Sequence, residues 1–199
     1  REPFDDNLHP FLQWWRKHGN LEEMLPDEWI LRGRAAYWAL VDEMDQMIGK
    51  ILVALEANGL AENTLIVYSS DHGEHAGDHD LWMKRTFYEE SARVPTILSW
   101  PGVLPEGQTC DHVMSALDLG ATMLDAMSAP ALPHSPGRSA LDLLKTGSGD
   151  WEDVAFSEYC LYEGVTQRMI RQDEWKLIYH HEQPPQLFNL SEDPIEEAD

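Results

Sequence analysis

One seven-residue run, Thr64-Leu65-Ile66-Val67-Tyr68-Ser69-Ser70, constrains the fold of this chain more than any other segment. It is apolar and β-branched, it is too short for a helix, and it comes after a strongly helical stretch. From Ala35 to Asn58 the apolar positions Tyr37, Leu40, Val41, Met44, Ile48, Ile51, Leu52 and Leu55 recur at steps of three and four, the stripe of an amphipathic helix. Asn58-Gly59 closes that helix, because glycine accepts the left-handed backbone of a helix end. A helix feeding an apolar run predicts an α/β architecture with residues 64–70 as a buried, parallel strand. The residues directly after that strand lie at the carboxyl edge of the sheet, where such folds keep their chemistry.

Those residues are Asp71-His72-Gly73-Glu74-His75-Ala76-Gly77-Asp78-His79-Asp80, of which seven in ten could ligate a metal or carry a proton. A cation held here needs oxygen or imidazole donors on backbone fixed by the sheet, and Gly73 lets the chain turn past Asp71 and His72. The simpler reading of any one Asp-His pair is a solvated loop whose carboxylates cap the next turn. Lys84 weighs against it: thirteen residues after Asp71, it puts a cation where an anionic substrate oxygen needs one.

The rest of the chain sets the surroundings. Residues 1–34, with Phe11, Leu12, Trp14, Trp15, Pro26 and Trp29 at irregular spacing, read as a segment that packs onto something else. Val94 to Trp100 reads as a strand, and Ser115 to Met127 as a helix with Leu117, Met123, Leu124 and Met127 inward. Pro130 to Gly137 is a connector. Val154 to Glu158, Thr166 to Arg171 and Trp175 to Tyr179 are short strands, the last two joined by the three-residue loop Gln172-Asp173-Glu174. We therefore expect one domain over 1–150 and a small antiparallel subdomain over 151–199.

Composition narrows the partners. Thirty-six acidic against fourteen basic side chains give a net charge of −22, which repels nucleic acid and anionic membrane surfaces. It favours solubility, notably in salt, where self-repulsion is screened. No run is apolar and long enough to span a bilayer. Cys110 and Cys160 are too few to staple the fold and sit in no zinc pattern.

Taken together, Ser70-Asp71-His72-Gly73-Glu74, Gly77-Asp78-His79, Lys84 and Glu90-Ser91-Ala92-Arg93-Val94-Pro95 resemble the sulfatase family of the alkaline phosphatase superfamily. The Asp-His form and the short gap to the lysine are most similar to the branch of choline sulfatases and phosphonate monoester hydrolases. Further landmarks fall in family order: Val41-Asp42-Glu43-Met44-Asp45, Gly137-Arg138-Ser139, Ile170-Arg171 with Trp175 to Tyr179, and Gln186 to Pro194. The likeness runs from about residue 7 to the end. It implies a fold that is part of an alkaline-phosphatase-like mixed sheet flanked by helices, with a small antiparallel carboxyl-terminal subdomain. It also implies a hydrolase of sulfate esters, with phosphonate or phosphate esters as the close variant, in which formylglycine attacks while a divalent cation (Ca²⁺ or Mn²⁺, with Mg²⁺ also open) polarises the ester oxygens. By the same resemblance Asp71 and His72 are metal ligands and Lys84 is catalytic, contacting substrate oxygens or assisting the leaving group. Arg93 is structural.

The family's nucleophile motif, Cys or Ser-x-Pro-x-Arg after an Asp-Asp pair, is absent. Cys110 precedes Asp111-His112-Val113, Cys160 precedes Leu161-Tyr162-Glu163, and Ser135-Pro136-Gly137-Arg138 lacks the residue between Ser and Pro. The expectation is a carboxyl-terminal fragment with half a metal site, inactive alone, which forms a homo-oligomer or associates with the missing amino-terminal half. Its substrate is a small sulfate or phosphonate ester. The compartment is cytoplasmic or periplasmic, with the cytoplasm favoured.

Several residues invite roles. His75, His79 and His112 are expected in loop packing or substrate contact, with His79 also a candidate substrate-binding residue. His180-His181 read as exposed strand-tip residues, His9-Pro10 as structural, the acids of 192–199 as a solvated turn and helix start, and Trp14-Trp15 as core or interface rather than an aromatic box for a quaternary ammonium. Two other classes compete with a hydrolase. A degenerate, non-catalytic binding module explains the missing nucleophile, and a structural metal domain requires more than two ligands.

Overall fold

A computed structural model of the chain describes residues 8–160 and 166–197, which fall into two units, 1–101 and 102–199. Leu161 to Glu163, the residues that exclude Cys160 as a nucleophile, lie outside the described residues, as do the last two of the acidic terminal stretch.

In the first unit, α1 (Pro10–His18) starts with proline in its first turn, where no intrahelical N–H is needed, and His9 Nδ1 accepts the Phe11 N–H at 3.2 Å. It buries Phe11, Leu12, Trp15 and Arg16. Helix α2 (Asp27–Ala57) starts after Pro26, with Asp27 and Glu28 suiting the positive end of its dipole. Its end is the expected one: Gly59 is left-handed (φ 65°) and the Leu60 N–H returns to the Leu55 carbonyl at 3.0 Å. Its beginning and its covering are not. The helix starts eight residues earlier than the stripe, at Asp27 rather than Ala35, and Ile30 is its one buried residue. Tyr37, Leu40, Met44, Ile51 and Leu52 are exposed. The stripe is real in sequence, but the described residues supply nothing to pack on most of it.

After a 3-10 turn at Ala61–Asn63 comes β1 (Ile66–Tyr68), half buried. Its neighbour is β2 (Ile97–Ser99), paired antiparallel with Ile66 opposite Ser99 and Tyr68 opposite Ile97. The expected parallel pairing is thus corrected: among the described residues, the strand that meets β1 is the one returning from the 71–96 connection, so it runs the other way. A 3-10 turn (Asp78–Asp80) and α3 (Glu89–Ala92) interrupt that connection.

The second unit opens with α4 (Ala116–Ala126), capped by a reciprocal pair in which Ser115 accepts the Asp118 N–H and Asp118 accepts the Ser115 N–H. The inward face differs from expectation. Leu117, Met123 and Met127 are exposed, and Asp118 and Thr122 are buried. The reason is the connector packed on that face: Asp118 Oδ1 accepts the Arg138 N–H at 2.8 Å and Thr122 Oγ1 accepts the Ala140 N–H at 2.9 Å. Gly137 is required for this approach, since a Cβ there would lie 2.3 Å from the Leu117 carbonyl oxygen. Helix α5 (Leu141–Thr146) comes next.

Then β3 (Val154–Cys160), β4 (Thr166–Gln172), β5 (Trp175–His180) and β6 (Gln186–Asn189) form one antiparallel sheet in chain order. Gln172 pairs with Trp175, so the β4–β5 loop holds two residues, Asp173 and Glu174, rather than three. Burial alternates along β5, with Lys176, Ile178 and His180 inside and Trp175, Leu177 and Tyr179 outside. Two local readings change here. His180 is buried and its Nε2 lies 3.0 Å from Gln186 Oε1, because its register puts it on the inner face. Glu196 is not a solvated acid but is buried against Lys176, Nζ to Oε1 2.8 Å, where the chain end folds back over β5. No helix among the described residues is long and apolar enough to cross a membrane.

Candidate active site

Strand β1 ends at Tyr68, and the chain leaves it through residues 69–72 into a loop held by α3. The Gly73 N–H donates to the Ser91 carbonyl at 2.9 Å, and a Cβ on Gly73 would fall 1.9 Å from the Glu90 carbonyl oxygen, so only glycine fits. That contact sets the position of His72. Its Nδ1 lies 2.8 Å from the Gly73 carbonyl and donates to it, which leaves Nε2 to face Asp71 and Lys84.

Asp71 Oδ2 lies 3.3 Å from His72 Nε2. Two neighbouring ligands on one divalent ion, with bonds of roughly 2.0–2.5 Å, sit about that far apart, so this pair fits a cation. Lys84 Nζ reaches the same His72 Nε2. Asp71, His72 and Lys84, the site expected from sequence, are therefore together in space. Asp71 is largely exposed. Desolvation, the largest single influence, pulls its carboxyl upward, but the backbone N–H groups of residues 71 and 72 together with the His72 imidazole and the Lys84 ammonium outweigh it and leave the carboxyl below the ordinary value. Among the described residues no group of three or more His, Cys, Asp or Glu side chains could hold a metal ion. The pair offers part of a coordination shell.

The other loop histidines are packed inside. His75 is fully buried, its Nε2 2.9 Å from Thr86 Oγ1, and burial pushes its pKa down to about 4, with Glu90 pulling upward and His79 downward. His79 stacks on Tyr88 with ring centroids 4.3 Å apart, and its Nε2 lies 3.5 Å from Glu90 Oε2. Desolvation raises the Glu90 pKa, but the hydrogen bond and charge of His79 outweigh it and leave the carboxyl below its usual value. His112 belongs to the second unit, where its Nδ1 lies 3.0 Å from the Asp153 carboxylate.

Sequence reasoning missed what braces this loop. Buried Arg16 donates from Nη2 to the His79 carbonyl at 2.6 Å, and Arg34 donates from Nε to the Ala76 carbonyl at 2.7 Å and from Nη2 to Asp78 Oδ1 at 2.7 Å. Arg85 lies over the buried Trp15 ring, 4.7 Å from its centroid. These partners are 42 to 70 residues away along the chain, so no local pattern announces them.

The sequence model of the Sulfatase family matches residues 5–129, and that of the N-sulphoglucosamine sulphohydrolase carboxyl-terminal region matches residues 77–199. The chain is 37 % identical to arylsulfatase K of Gallus gallus over 84 % of its own length and 33 % of the relative's. It is 31 % identical to a choline-sulfatase of Rhizobium meliloti (strain 1021), over 85 % of this chain and 33 % of that protein. A solved phosphonate monoester hydrolase from Silicibacter pomeroyi superposes with a TM-score of 0.82 at 27 % identity, covering 98 % of this chain and 46 % of that one. The chain spans about a third of the length of the curated relatives it matches.

Proposed function

Since the chain belongs to the sulfatase family of the alkaline phosphatase superfamily, we propose that it is the carboxyl-terminal portion of a metal-dependent hydrolase of sulfate esters. The convergence of Asp71, His72 and Lys84 at one point beyond β1 is the observation that carries this reading. A divalent cation, when bound, polarises the ester oxygens. Asp71 and His72 would supply two of its ligands, the His72 Nε2 lone pair then serving the ion in place of the Lys84 ammonium. Lys84 supplies a fixed positive charge where the equatorial oxygens of the transition state gather negative charge. The imidazole favours Mn²⁺ relative to an all-oxygen site, and the carboxylate suits Ca²⁺ or Mg²⁺ as well. His79, stacked on Tyr88, contributes to substrate binding by shaping the loop.

In this proposal the nucleophile, a formylglycine, and the remaining ligands lie outside these 199 residues, and these residues alone are inactive. The amino-terminal half then covers the exposed apolar stripe of α2 and the open edge of β1. A phosphonate ester hydrolase is the second reading, favoured by the likeness to the Silicibacter pomeroyi enzyme.

The test is hydrolysis of 4-nitrophenyl sulfate and of a phenyl phosphonate ester by the complete enzyme and by its Lys84→Ala variant. The expected loss of kcat/KM on Lys84→Ala is about 10²–10³-fold with an unchanged melting temperature. Unchanged kinetics remove Lys84 from the mechanism, and absence of both activities in the unaltered enzyme overturns the reading.

A further inference from the structure

Lys84 is flanked by two residues in left-handed backbone, Met83 at φ 68° and Arg85 at φ 96°. Residues with a Cβ adopt that region only where their surroundings hold them there. Side-chain burial does not hold Met83, whose side chain is 56 % exposed. Its peptide groups do. The Met83 N–H donates to Glu74 Oε1, and the Met83 carbonyl accepts the His75 N–H at 3.0 Å. Glu74 Oε1 also accepts the Ala76 N–H at 3.2 Å. Both bonds to the carboxylate are charge-assisted, which makes them stronger than neutral ones.

From this geometry we infer that Glu74 is a positioning residue for Lys84: its carboxylate clamps the Met83 peptide and thereby aims the lysine at His72. The clamp comes from the same turn that carries Asp71 and His72, so one loop sets the spacing between the ligand pair and the ammonium group. On the other side, Arg85 is anchored over Trp15, so the lysine stands between two fixed points. The catalytic consequence rests on the proposed ester hydrolysis; the geometric one does not.

Two measurements separate them. In the complete enzyme, amine acylation with an N-hydroxysuccinimide acetate is followed residue by residue by mass spectrometry, with exposed Lys50 and Lys145 as internal references. Lys84, half buried and held at His72, is expected to react several-fold more slowly than either. Glu74→Ala should bring Lys84 to the reference rate, and Glu74→Gln, which keeps an acceptor oxygen, should restore most of the protection. An unchanged Lys84 rate in a folded Glu74→Ala chain overturns the clamp. So does a Glu74→Ala chain that fails to fold while Lys84→Ala folds, because Glu74 would then support the unit rather than the lysine.

In the complete enzyme, Glu74→Ala should lower kcat/KM for a sulfate ester about ten- to a hundred-fold, with partial rescue by Glu74→Gln. In a Lys84→Ala background the same change should cost less than about two-fold, since its target is gone. Fully additive losses overturn the inference. An enzyme with no sulfate or phosphonate ester activity overturns the functional reading, and the acylation result still decides the clamp.

Discussion

The loop of residues 71–90 and the four-stranded sheet of residues 154–189 are built on opposite principles. In the sheet, each strand is fixed by a continuous ladder to its neighbour in sequence, and alternation decides which side chains go in. In the loop, regular structure is nearly absent, and the backbone is fixed by isolated contacts, among them Glu74 on the Met83 N–H and Arg16 and Arg34 from distant segments. The comparison teaches that order in the loop is concentrated in single contacts, whereas order in the sheet is distributed. The exception is the buried Lys176–Glu196 pair, an ion pair between β5 and the returning chain end that no ladder supplies.

That exception gives the largest expected effect. Glu196→Ala leaves the Lys176 ammonium buried without this carboxylate and should destabilise the second unit by about 3–5 kcal/mol in urea unfolding. The double change Lys176→Met, Glu196→Leu should recover most of it. A small loss in the single variant would show that the sheet does not depend on the pair.

Next comes pH, which should separate the loop from the sheet. His75 is held neutral, with its pKa lowered from 6.5 to about 4 in the folded state by burial, while Glu90 pulls it up and His79 down. The unfolded chain therefore takes up a proton before the folded one does as pH falls. Stability is full above pH 6.5, declines between 6.5 and about 4, and loses nothing further to this group below that, a total of about 3 kcal/mol. The contribution of Glu90, whose carboxyl is depressed, is lost in a lower window, as pH falls below its ordinary value of 4.5. Urea midpoints from about pH 7 to 4 should slope downward, and His75→Gln should flatten that slope. An equal slope in both chains removes His75 as its source.

Arg16→Met should come after these, costing about 1–3 kcal/mol by depriving the His79 carbonyl of its donor. Amide exchange should quicken across 75–90 and stay unchanged in β3–β6. The smallest change is Ser115→Ala, which removes the α4 cap for about 1 kcal/mol, read as a few degrees of melting temperature.

The same contrast decides what could be read from sequence. The clustering of Asp71, His72 and Lys84 was legible because they lie within fourteen residues after an apolar run, so proximity along the chain nearly ensured proximity in space. The helix end at Asn58-Gly59 and three of the four sheet strands were legible for the same local reason. Strand β6 was not, since four residues are too few to display an alternation. The direction of the β1–β2 pairing was not legible either, because a short apolar strand carries no sign of its partner's direction. Apolar periodicity misassigned α4, because hydrogen bonding to the 137–140 connector placed Asp118 and Thr122 inside instead of Leu117 and Met123. Arg16 could not be foreseen at all: its acceptor is 63 residues away.

The left-handed run at His79, Asp80, Met83 and Arg85 has a consequence in time. Left-handed backbone costs free energy at a residue with a Cβ, and the contacts that Arg16 and Trp15 of α1 make with this loop offset that cost. Opening of this loop is therefore expected to need less free energy than opening of the β3–β6 sheet, a difference that native-state amide exchange reads. The segment that carries Asp71, His72 and Lys84 should then be the first part of the chain to let go when it loosens.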